Sequence, residues 1–273
     1  MKVIEQMLSR YAREEGHHAL REVMQEIALA GLQRAGFFDK AALYGGTCLR
    51  IFYGLPRFSE DLDFSLLTTD VDFSLEPYFK ALEEEFSAFG IEVEISQRLK
   101  SVKSAVVSAF LKKGTSIYDV KVTGQRTLKI KFEVDTDPPG GFATEEKLLV
   151  QPYSFYVKCY ALPDLYGGKM HALLFRRWKN RVKGRDWFDF EWYVQNSTPL
   201  NLRHLEERAR QSGDWQAGEL TRDDFFQLLG ERIQSLDVSV AKRDVQPFVR
   251  SPEALDIWSL SYFQDLAGKV VFV

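Results

Sequence analysis

The sequence contains few cysteines and no long apolar segment. Its 273 residues include only Cys48 and Cys159, too few for a disulfide framework in a chain of this size, which indicates a reducing compartment. No apolar run approaches the ~18–20 residues of a membrane span, and the first residues are too charged for a signal peptide. We therefore expect a cytoplasmic protein that is neither secreted nor inserted in a membrane.

An excess of positive charge is also missing. Lys and Arg number 36 against 39 Asp and Glu, a formal net charge of -3, so any surface for a nucleic acid must be local. Hydrophobic residues make up 45% of the chain and charged residues 27%, which excludes a wholly disordered, collagen-like or coiled-coil protein. The chain should fold around a sizeable core, as one large domain or two modest ones.

The residue patterns predict an α+β fold, with a mixed β-sheet domain followed by a helical C-terminal domain. We expect a helical cover over residues 1–40, the sheet domain over 41–160 and the helical domain over 161–273. The close succession of the later strands predicts antiparallel pairing. Strands are predicted at 41–44, 62–67, 91–95, 105–111, 117–122 and 128–134. Helices are predicted at 76–89, 164–177, 185–194, 202–210, 221–234 and 252–267.

A glycine turn at the first strand is the first informative motif. The apolar residues 41–44 meet Gly45, Gly46 and Thr47, from which a short helix is predicted to run to Tyr53. Paired glycines at the start of a helix let backbone N–H groups approach an anion, and the helix dipole adds to the attraction. The turn therefore predicts a phosphate site.

Asp61 and Asp63 lie at the next predicted strand. Because side chains alternate along a strand, the two carboxylates project to the same side, about 6.6 Å apart at ~3.3 Å per residue. Their repulsion is costly, and a divalent cation relieves it, since Mg²⁺ prefers carboxylate oxygens and substrate phosphates. We expect Arg57 and Ser59, which precede the pair, to join the nucleotide contacts.

A third carboxylate for a two-metal site is expected on a neighbouring strand. If the apolar residues of LKIKFEVD at 128–135 face the core, then Lys131, Glu133 and Asp135 share the outer face with the active site. We select Glu133 as the third metal ligand, because Asp135 leads into a Pro-Pro-Gly-Gly loop.

Charged residues recur between residues 162 and 194. Lys169 is predicted on one side of a helix, where it is expected to point toward the acidic strands and to bind nucleotide phosphates as a point charge. Asp186 and Asp189 open the following helix, a position that also favours acids through the helix dipole. Basic residues around Trp178 between these helices suit nucleic-acid phosphates and bases. They are Arg176, Arg177, Lys179, Arg181, Lys183 and Arg185.

The order of these motifs resembles known enzymes. A Gly-Gly-Thr turn, a short helix and then Asp-x-Asp is similar to the signature of the nucleotidyltransferase superfamily that includes DNA polymerase β. Over roughly residues 40–195 the chain further resembles the AbiEii/AbiGii family of nucleotidyltransferase toxins, through GGTCLRIFYGLPRFSEDLDFSL, LKIKFEVDTDPP and DLYGGKMHALLFRRWKNRVKGRDWFDF. Gly-Gly-Thr stands where the wider superfamily often has Gly-Ser, and the hydroxyl is kept.

The resemblance implies a function and a set of site residues. It implies metal-dependent transfer of a nucleotide from an NTP, with Mg²⁺ or Mn²⁺, to an acceptor RNA, in studied members the acceptor end of tRNA. It also implies a bacterial toxin–antitoxin or abortive-infection system that acts in phage defence, with a separate antitoxin protein as partner. The first family motif, which holds phosphate and metal, maps onto Gly45, Gly46, Thr47, Asp61 and Asp63. The later family motifs contribute a lysine on a helix and an aspartate, which map onto Lys169 and Asp186.

Two alternatives fit the same residues. In the first alternative, the chain transfers a nucleotide to a protein side chain or to a small molecule, such as an antibiotic. In the second alternative, the chain is a catalytically silent module that binds a partner or a nucleic acid. The second alternative is weakened by the acids at 61, 63 and 133, which repel one another without a cation. The sequence does not identify the NTP, because base selection depends on the shape of the pocket.

Overall fold

The computed structural model describes residues 2–12, 15–97, 115–123, 128–176 and 182–273. Contacts divide the chain into two compact units, and two short segments that precede residue 144 belong to the second unit. Unit 1 is Met1–Gly54, Phe58–Pro138 and Thr144–Cys159, and unit 2 is Leu55–Arg57, Pro139–Ala143 and Tyr160–Val273. The predicted ranges 1–40, 41–160 and 161–273 stay a prediction.

Unit 1 contains a sheet with helices from the first third of the chain. Its helices are α1 (Lys2–Leu8), α2 (Gly16–Arg34), α3 (Gly45–Tyr53) and α4 (Phe79–Ala88). Its strands are β1 (Ala41–Tyr44), β2 (Leu62–Leu66), β3 (Glu92–Gln97), β4 (Thr115–Thr123), β5 (Leu128–Asp135), β6 (Thr144–Leu149) and β7 (Phe155–Tyr160).

The described strands of unit 1 form one mixed sheet in the order β3-β4-β5-β2-β1-β7-β6. β2 pairs antiparallel with β1 and parallel with β5, while β3, β4 and β5 form an antiparallel series. The predicted α+β fold with a mixed sheet is confirmed, as is the antiparallel pairing of the later strands. β2 and β5 lie beside each other at the centre, so their side chains share each face of the sheet.

Aromatic packing fixes which face of these central strands is buried. Phe64 of β2 and Phe132 of β5 are both 0% exposed, and their ring centroids lie 6.0 Å apart. Phe37 packs against Phe64 with its centroid at 4.9 Å. Burying each such side chain stabilises the fold by about 1.5–3 kcal/mol. Because side chains alternate, the residues between these aromatics are directed to the opposite face.

Unit 2 is mainly helical. Its helices are α5 (Leu162–Phe175), α6 (Gly184–Gln195), α7 (Leu202–Ser212), α8 (Arg222–Gln234), α9 (Val238–Val245) and α10 (Leu260–Ala267), and a small sheet pairs β8 (Pro199–Leu200) with β9 (Val271–Phe272). α5 packs against α6, α7 and α8, and α6 packs against α9 and α10. Tyr166 of α5 stacks on Tyr193 of α6, with centroids 4.2 Å apart.

Hydrogen bonds attach Pro139–Ala143 to the helices of unit 2. The side chain of Asn201 caps α7 by accepting from the His204 backbone N–H at 3.0 Å. His204 donates from Nδ1 to the Gly140 carbonyl at 3.2 Å, and the backbone N–H of Ala143 donates to Asp164 at 2.8 Å. The segment is therefore fixed at the start of α5 and α7.

Three expectations about secondary structure need correction or fall outside the described residues. Residues 144–160 contain β6 and β7, for which we predicted no strand. The predicted helix 252–267 is a 3₁₀ turn at Pro252–Leu255 followed by α10, because the Ser259 side chain accepts from the Tyr262 N–H at 3.1 Å and begins a new helix there. The strand predicted at 105–111 lies outside the described residues.

Both cysteines are buried and neither forms a disulfide. Burial raises the pKa of the Cys48 thiol well above its ordinary value, and the neighbouring Cys159 raises it further. In the described part of the chain, no helix is both long enough and apolar enough to cross a lipid bilayer.

Candidate active site

The turn between β1 and α3 places Gly45 against an acidic strand. Gly45 has φ +78°, which favours glycine, and a Cβ at this position would lie 2.5 Å from Asp63 Oδ2. The register explains the proximity, since Tyr44, the last residue of β1, lies opposite Asp63. The side chain of Tyr44, the N-cap residue of α3, makes no capping hydrogen bond, and the N–H groups in the first turn of any helix have no carbonyl partner within the helix. These N–H groups and the Asp63 carboxylate are therefore neighbours.

The parallel pair β2–β5 assembles the predicted carboxylates on one face. Asp63 lies directly opposite Glu133, and the flanking pair Leu62 and Phe132 is buried on the other face. Asp61 immediately precedes β2, and its charge acts together with that of Asp63 on Lys131 of β5. The prediction that Glu133 occupies the strand next to the two aspartates agrees with this register.

Lys131 also belongs to this face. Its ammonium forms an ion pair with Glu133, and both side chains are 29% exposed. Burial alone would lower the pKa of Lys131, but the hydrogen bond and charge of Glu133, with the charges of Asp61 and Asp63, hold that pKa above its ordinary value. The acidic face of β2 and β5 thus contains its own positive charge.

Two elements of unit 1 support the loop that leads to Asp61. From α3, the buried hydroxyl of Thr47 donates to the Asp61 backbone carbonyl. From α2, Arg21 forms an ion pair with Glu60 at 2.8 Å and the Gln25 amide donates to the Ser59 carbonyl at 3.3 Å. The residues predicted to bind nucleotide at 47 and 59 therefore also position the backbone beside the acids.

Unit 2 brings together the second set of predicted residues. The Lys169 ammonium of α5 contacts carboxylate oxygens of Asp186 at 2.8 Å and Asp189 at 2.7 Å, both on α6. Arg57, which contacts place in unit 2, donates two hydrogen bonds of 2.6 Å to Asp189. The Arg57 side chain is 3% exposed and that of Asp189 is 0% exposed, so this bidentate ion pair is inside unit 2. The nucleotide contact predicted for Arg57 stays a prediction.

The buried charges in unit 2 fix one another's protonation. Burial alone would raise the pKa of Asp189, but Arg57 and Lys169 outweigh it and hold that pKa below its ordinary value. Asp186 behaves in the same way, with Lys169 and Lys183 as the main charges that lower its pKa. The pKa of Lys169 is raised, because the charges of Asp186 and Asp189 overcome the effect of burial. All three side chains are therefore ionised near neutral pH.

The basic segment is described only in part. Arg177, Lys179 and Arg181 lie outside the described residues. Arg176 is exposed, and the Arg185 guanidinium lies 4.3 Å from the ring centroid of Phe248. Burial lowers the pKa of Lys183, and the charges of Arg176 and Lys169 act in the same direction. The interaction of this segment with nucleic acid stays a prediction.

A cavity of about 270 Å³ in unit 2 lies beside the described part of this segment, and Arg176, Lys183, Asp186 and Arg232 are among the residues that line it. Sequence analysis did not identify Arg232, which donates to the carbonyls of Leu174 and Arg176 at 2.6 and 3.0 Å and so caps the end of α5. No sequence signal marked it, because a basic residue in the last turn of a helix is common and favourable to the helix dipole.

The donor set of the acidic face fits a divalent cation. Asp61, Asp63 and Glu133 offer the hard oxygen ligands that Mg²⁺ and Mn²⁺ prefer, and the Lys131 ammonium already stands in as a positive charge against them. Within the ranges that the structure describes, no group of three or more His, Cys, Asp or Glu side chains is placed to hold a metal ion. The metal ligands stay a prediction.

The fold is shared with solved structures, one of which is described as a nucleotidyltransferase. An H. pylori protein assigned as a nucleotidyltransferase shares the fold with a TM-score of 0.50 and 18% identity, over 94% of this chain and 93% of that chain. JHP933 from Helicobacter pylori has a TM-score of 0.51 and 19% identity, over 94% and 90%. No curated protein matches the chain. At these identities the likeness establishes the fold alone.

A family model identifies the chain more closely. The model of the nucleotidyl transferase AbiEii toxin, of type IV toxin–antitoxin systems, matches residues 27–265. The chain belongs to this family, which confirms the resemblance found in the sequence. The match also covers the second part of α2, from residue 27, and nearly all of unit 2, where the sequence offered no motif beyond residue 195.

Proposed function

We propose that the chain transfers a nucleotide from an NTP to an acceptor RNA such as tRNA, with Mg²⁺ or Mn²⁺, as the toxin of a toxin–antitoxin pair. The observation that carries this proposal is the placement of Asp63, which lies opposite Glu133 and against Gly45 at the start of α3. Carboxylates suited to a cation and N–H groups suited to a phosphate are adjacent there. A metal-bound nucleotide requires this combination.

The residues of unit 1 would hold and orient the nucleotide. Asp61, Asp63 and Glu133 would hold the cation, which when bound neutralises phosphate charge and stabilises the pyrophosphate leaving group. The N–H groups of the first turn of α3 would donate to phosphate oxygens, and the Thr47 hydroxyl keeps the Asp61 backbone in place. The acceptor hydroxyl would bond to the α-phosphorus and release its proton to water, as the bond from the α-phosphorus to pyrophosphate breaks and pyrophosphate leaves.

Lys169 and Asp186 of unit 2 would also contribute to the reaction. Lys169 would bind a nucleotide phosphate, and Asp186 would position the acceptor or the nucleoside. Lys169 contacts two carboxylates, so it can exchange Asp186 for a phosphate while Asp189 remains paired with Arg57. The described basic residues Arg176, Lys183 and Arg185, with their neighbours in the sequence, would bind the acceptor RNA.

Membership of the AbiEii family supports the cellular part of the proposal. As a toxin of this kind the chain would act in the cytoplasm, have a separate antitoxin protein as partner and contribute to phage defence.

The direct test is to incubate the purified chain with Mg²⁺, total bacterial tRNA and each of the four α-³²P-labelled NTPs. We expect label in RNA on a denaturing gel with at least one NTP, and none after the divalent cation is chelated. Label in a protein or in a small molecule instead would replace the RNA acceptor, and no label in any acceptor would contradict nucleotidyl transfer.

Asp63→Asn should abolish labelling, by at least about 10²-fold, because it removes a charge that the proposed cation requires. The matched control is Asp72→Asn, which neutralises an exposed carboxylate outside the site. Initial rates and thermal unfolding of both variants provide the measurement. Full activity of Asp63→Asn would exclude this carboxylate from the reaction.

A further inference from the structure

Lys131 occupies an unusual position among the proposed metal ligands. It is two residues from Glu133 on β5, and the two side chains form an ion pair in which each is 29% exposed. Asp63 lies across from Glu133 on β2. Like charges directly opposite on paired strands destabilise a sheet, so Asp63 and Glu133 would repel each other without a nearby cation.

The described residues supply that cation from within the same strand. The charges of Glu133, Asp61 and Asp63 all act on the Lys131 ammonium, which shows that it lies within electrostatic reach of each proposed ligand. Partial burial limits screening by solvent, so these interactions exceed those of an exposed pair. A lysine side chain is also long and flexible, and its ammonium can leave without moving the strand.

We propose that Lys131 is an internal counter-ion of the acidic face, and that a divalent cation displaces its ammonium when it binds. This inference rests on the proposed function, because it requires Asp61, Asp63 and Glu133 to be metal ligands. Lys131 thus stabilises the metal-free chain and weakens its affinity for the metal, since each binding event must break the Lys131–Glu133 pair.

Lys129 provides a matched comparison on the same strand. It is two residues before Lys131, on the same face, and pairs with Asp119 at 2.9 Å. Asp119 is not among the proposed metal ligands. A displacement specific to the metal site should therefore change Lys131 and leave Lys129 as it is.

The first test uses the unaltered chain. Amine-reactive labelling followed by mass spectrometry measures the exposure of each lysine, with and without Mn²⁺. We expect the labelling rate of Lys131 to rise severalfold when Mn²⁺ is added and the rate of Lys129 to stay constant. An unchanged rate at Lys131, under conditions where Mn²⁺ is bound, overturns the proposal.

The second test measures Mn²⁺ affinity from the electron paramagnetic resonance of the free ion. Lys131→Met should bind Mn²⁺ about five-fold or more tightly than the parent chain, because no ammonium competes for the carboxylates. It should also melt at a lower temperature without metal, whereas Lys131→Arg, which keeps the charge, and Lys129→Met should retain the parent affinity.

Asp63→Asn separates failure of this inference from failure of the proposed function. If the parent binds Mn²⁺, Asp63→Asn does not, and Lys131→Met has the parent affinity, the counter-ion role is wrong and the metal site stands. If neither the parent nor Lys131→Met binds Mn²⁺, the metal dependence in the proposed function fails together with the inference.

Discussion

At the scale of single residues, Gly45 shows how closely the glycine turn fits the acidic strand. Its φ of +78° and the distance of only 2.5 Å that would separate an added Cβ from Asp63 Oδ2 are two separate reasons for glycine at this position. Gly54 at the other end of α3 has a nearly identical φ of +77°, but a Cβ there would meet nothing within 4 Å. Substitution of Gly54 therefore introduces backbone strain alone, whereas substitution of Gly45 introduces backbone strain and a steric clash with Asp63.

Gly45→Ala should lose most nucleotidyl transfer, because the new Cβ pushes Asp63 away from Glu133. Gly54→Ala should keep its activity, and each variant should lose about 1–2 kcal/mol of unfolding free energy from the left-handed backbone alone. Transfer rates and urea unfolding curves measure both effects. Equal activity of the two variants would mean that the contact with Asp63 is unimportant.

Some of the geometry around the predicted site residues follows from local rules, for a physical reason. Asp63 is directed away from the buried face of β2, and Gly45 begins a helix, through rules that act over a few residues. The register that brings Glu133 opposite Asp63 follows from the burial of Phe64 and Phe132. The pair of Arg57 with Asp189 could not be predicted, because it joins residues 132 positions apart that no local pattern connects.

At the scale of elements, ion pairs connect α5 and α6. Lys169 on α5 contacts Asp186 and Asp189 on α6, and Arg57 binds Asp189 from a separate segment of unit 2. Removing one partner of a buried pair leaves a buried charge without compensation, which typically costs about 3–5 kcal/mol. The packing of α5 against α6 thus depends on the mutual neutralisation of these two cations and two carboxylates.

Asp189→Asn should destabilise the chain by about 3–5 kcal/mol at pH 7, whereas the exposed Asp223→Asn should change stability by less than about 0.5 kcal/mol. The pKa values of Asp186 and Asp189 are lowered in the fold. Their contribution is therefore present above about pH 4 and is lost as the pH falls below it.

Urea unfolding followed by circular dichroism between about pH 2.5 and pH 7 tests both statements. The parent chain should lose stability below pH 4, and Asp189→Asn should show a shallower loss because one of the two carboxylates is gone. The same slope in both proteins would show that Asp189 does not carry this part of the acid sensitivity.

At the scale of elements, β6 shows why a strand can be missed in the sequence. β6 has the sequence TEEKLL and is an edge strand whose side chains are mostly exposed, so it shows little of the alternation that identifies a strand. At the break before α10, next to the Ser259 cap, Trp258 Nε1 donates to Glu191 at 2.8 Å. That contact is tertiary and leaves no mark on the local pattern.

At the scale of the whole molecule, the chain passes between its two units more than once. Leu55–Arg57 and Pro139–Ala143 belong to unit 2, although each is surrounded in sequence by unit 1. A fragment that begins at Tyr160 would lack Arg57, the partner of Asp189, and the carbonyl that His204 binds at Gly140. The two units are consequently not separable by a single cut in the chain.

Because the chain has a net charge of -3, binding of an acceptor RNA must depend on a local basic surface. If the basic segment binds RNA, raising the salt concentration should weaken binding steeply, and the double variant Arg176→Glu with Lys183→Glu should weaken it by at least about ten-fold at low salt. Filter binding with labelled tRNA measures both effects, and Lys147→Glu in β6 is the control. An affinity independent of salt would contradict an RNA acceptor held by this segment.

The unequal distribution of tryptophan between the units has a spectroscopic consequence. All five tryptophans fall between residues 178 and 258, a range that belongs to unit 2. Intrinsic indole fluorescence therefore follows the unfolding of unit 2 alone. Because both native thiols are buried, a cysteine introduced at the exposed Val71 would take up a dye selectively and give unit 1 an optical signal of its own.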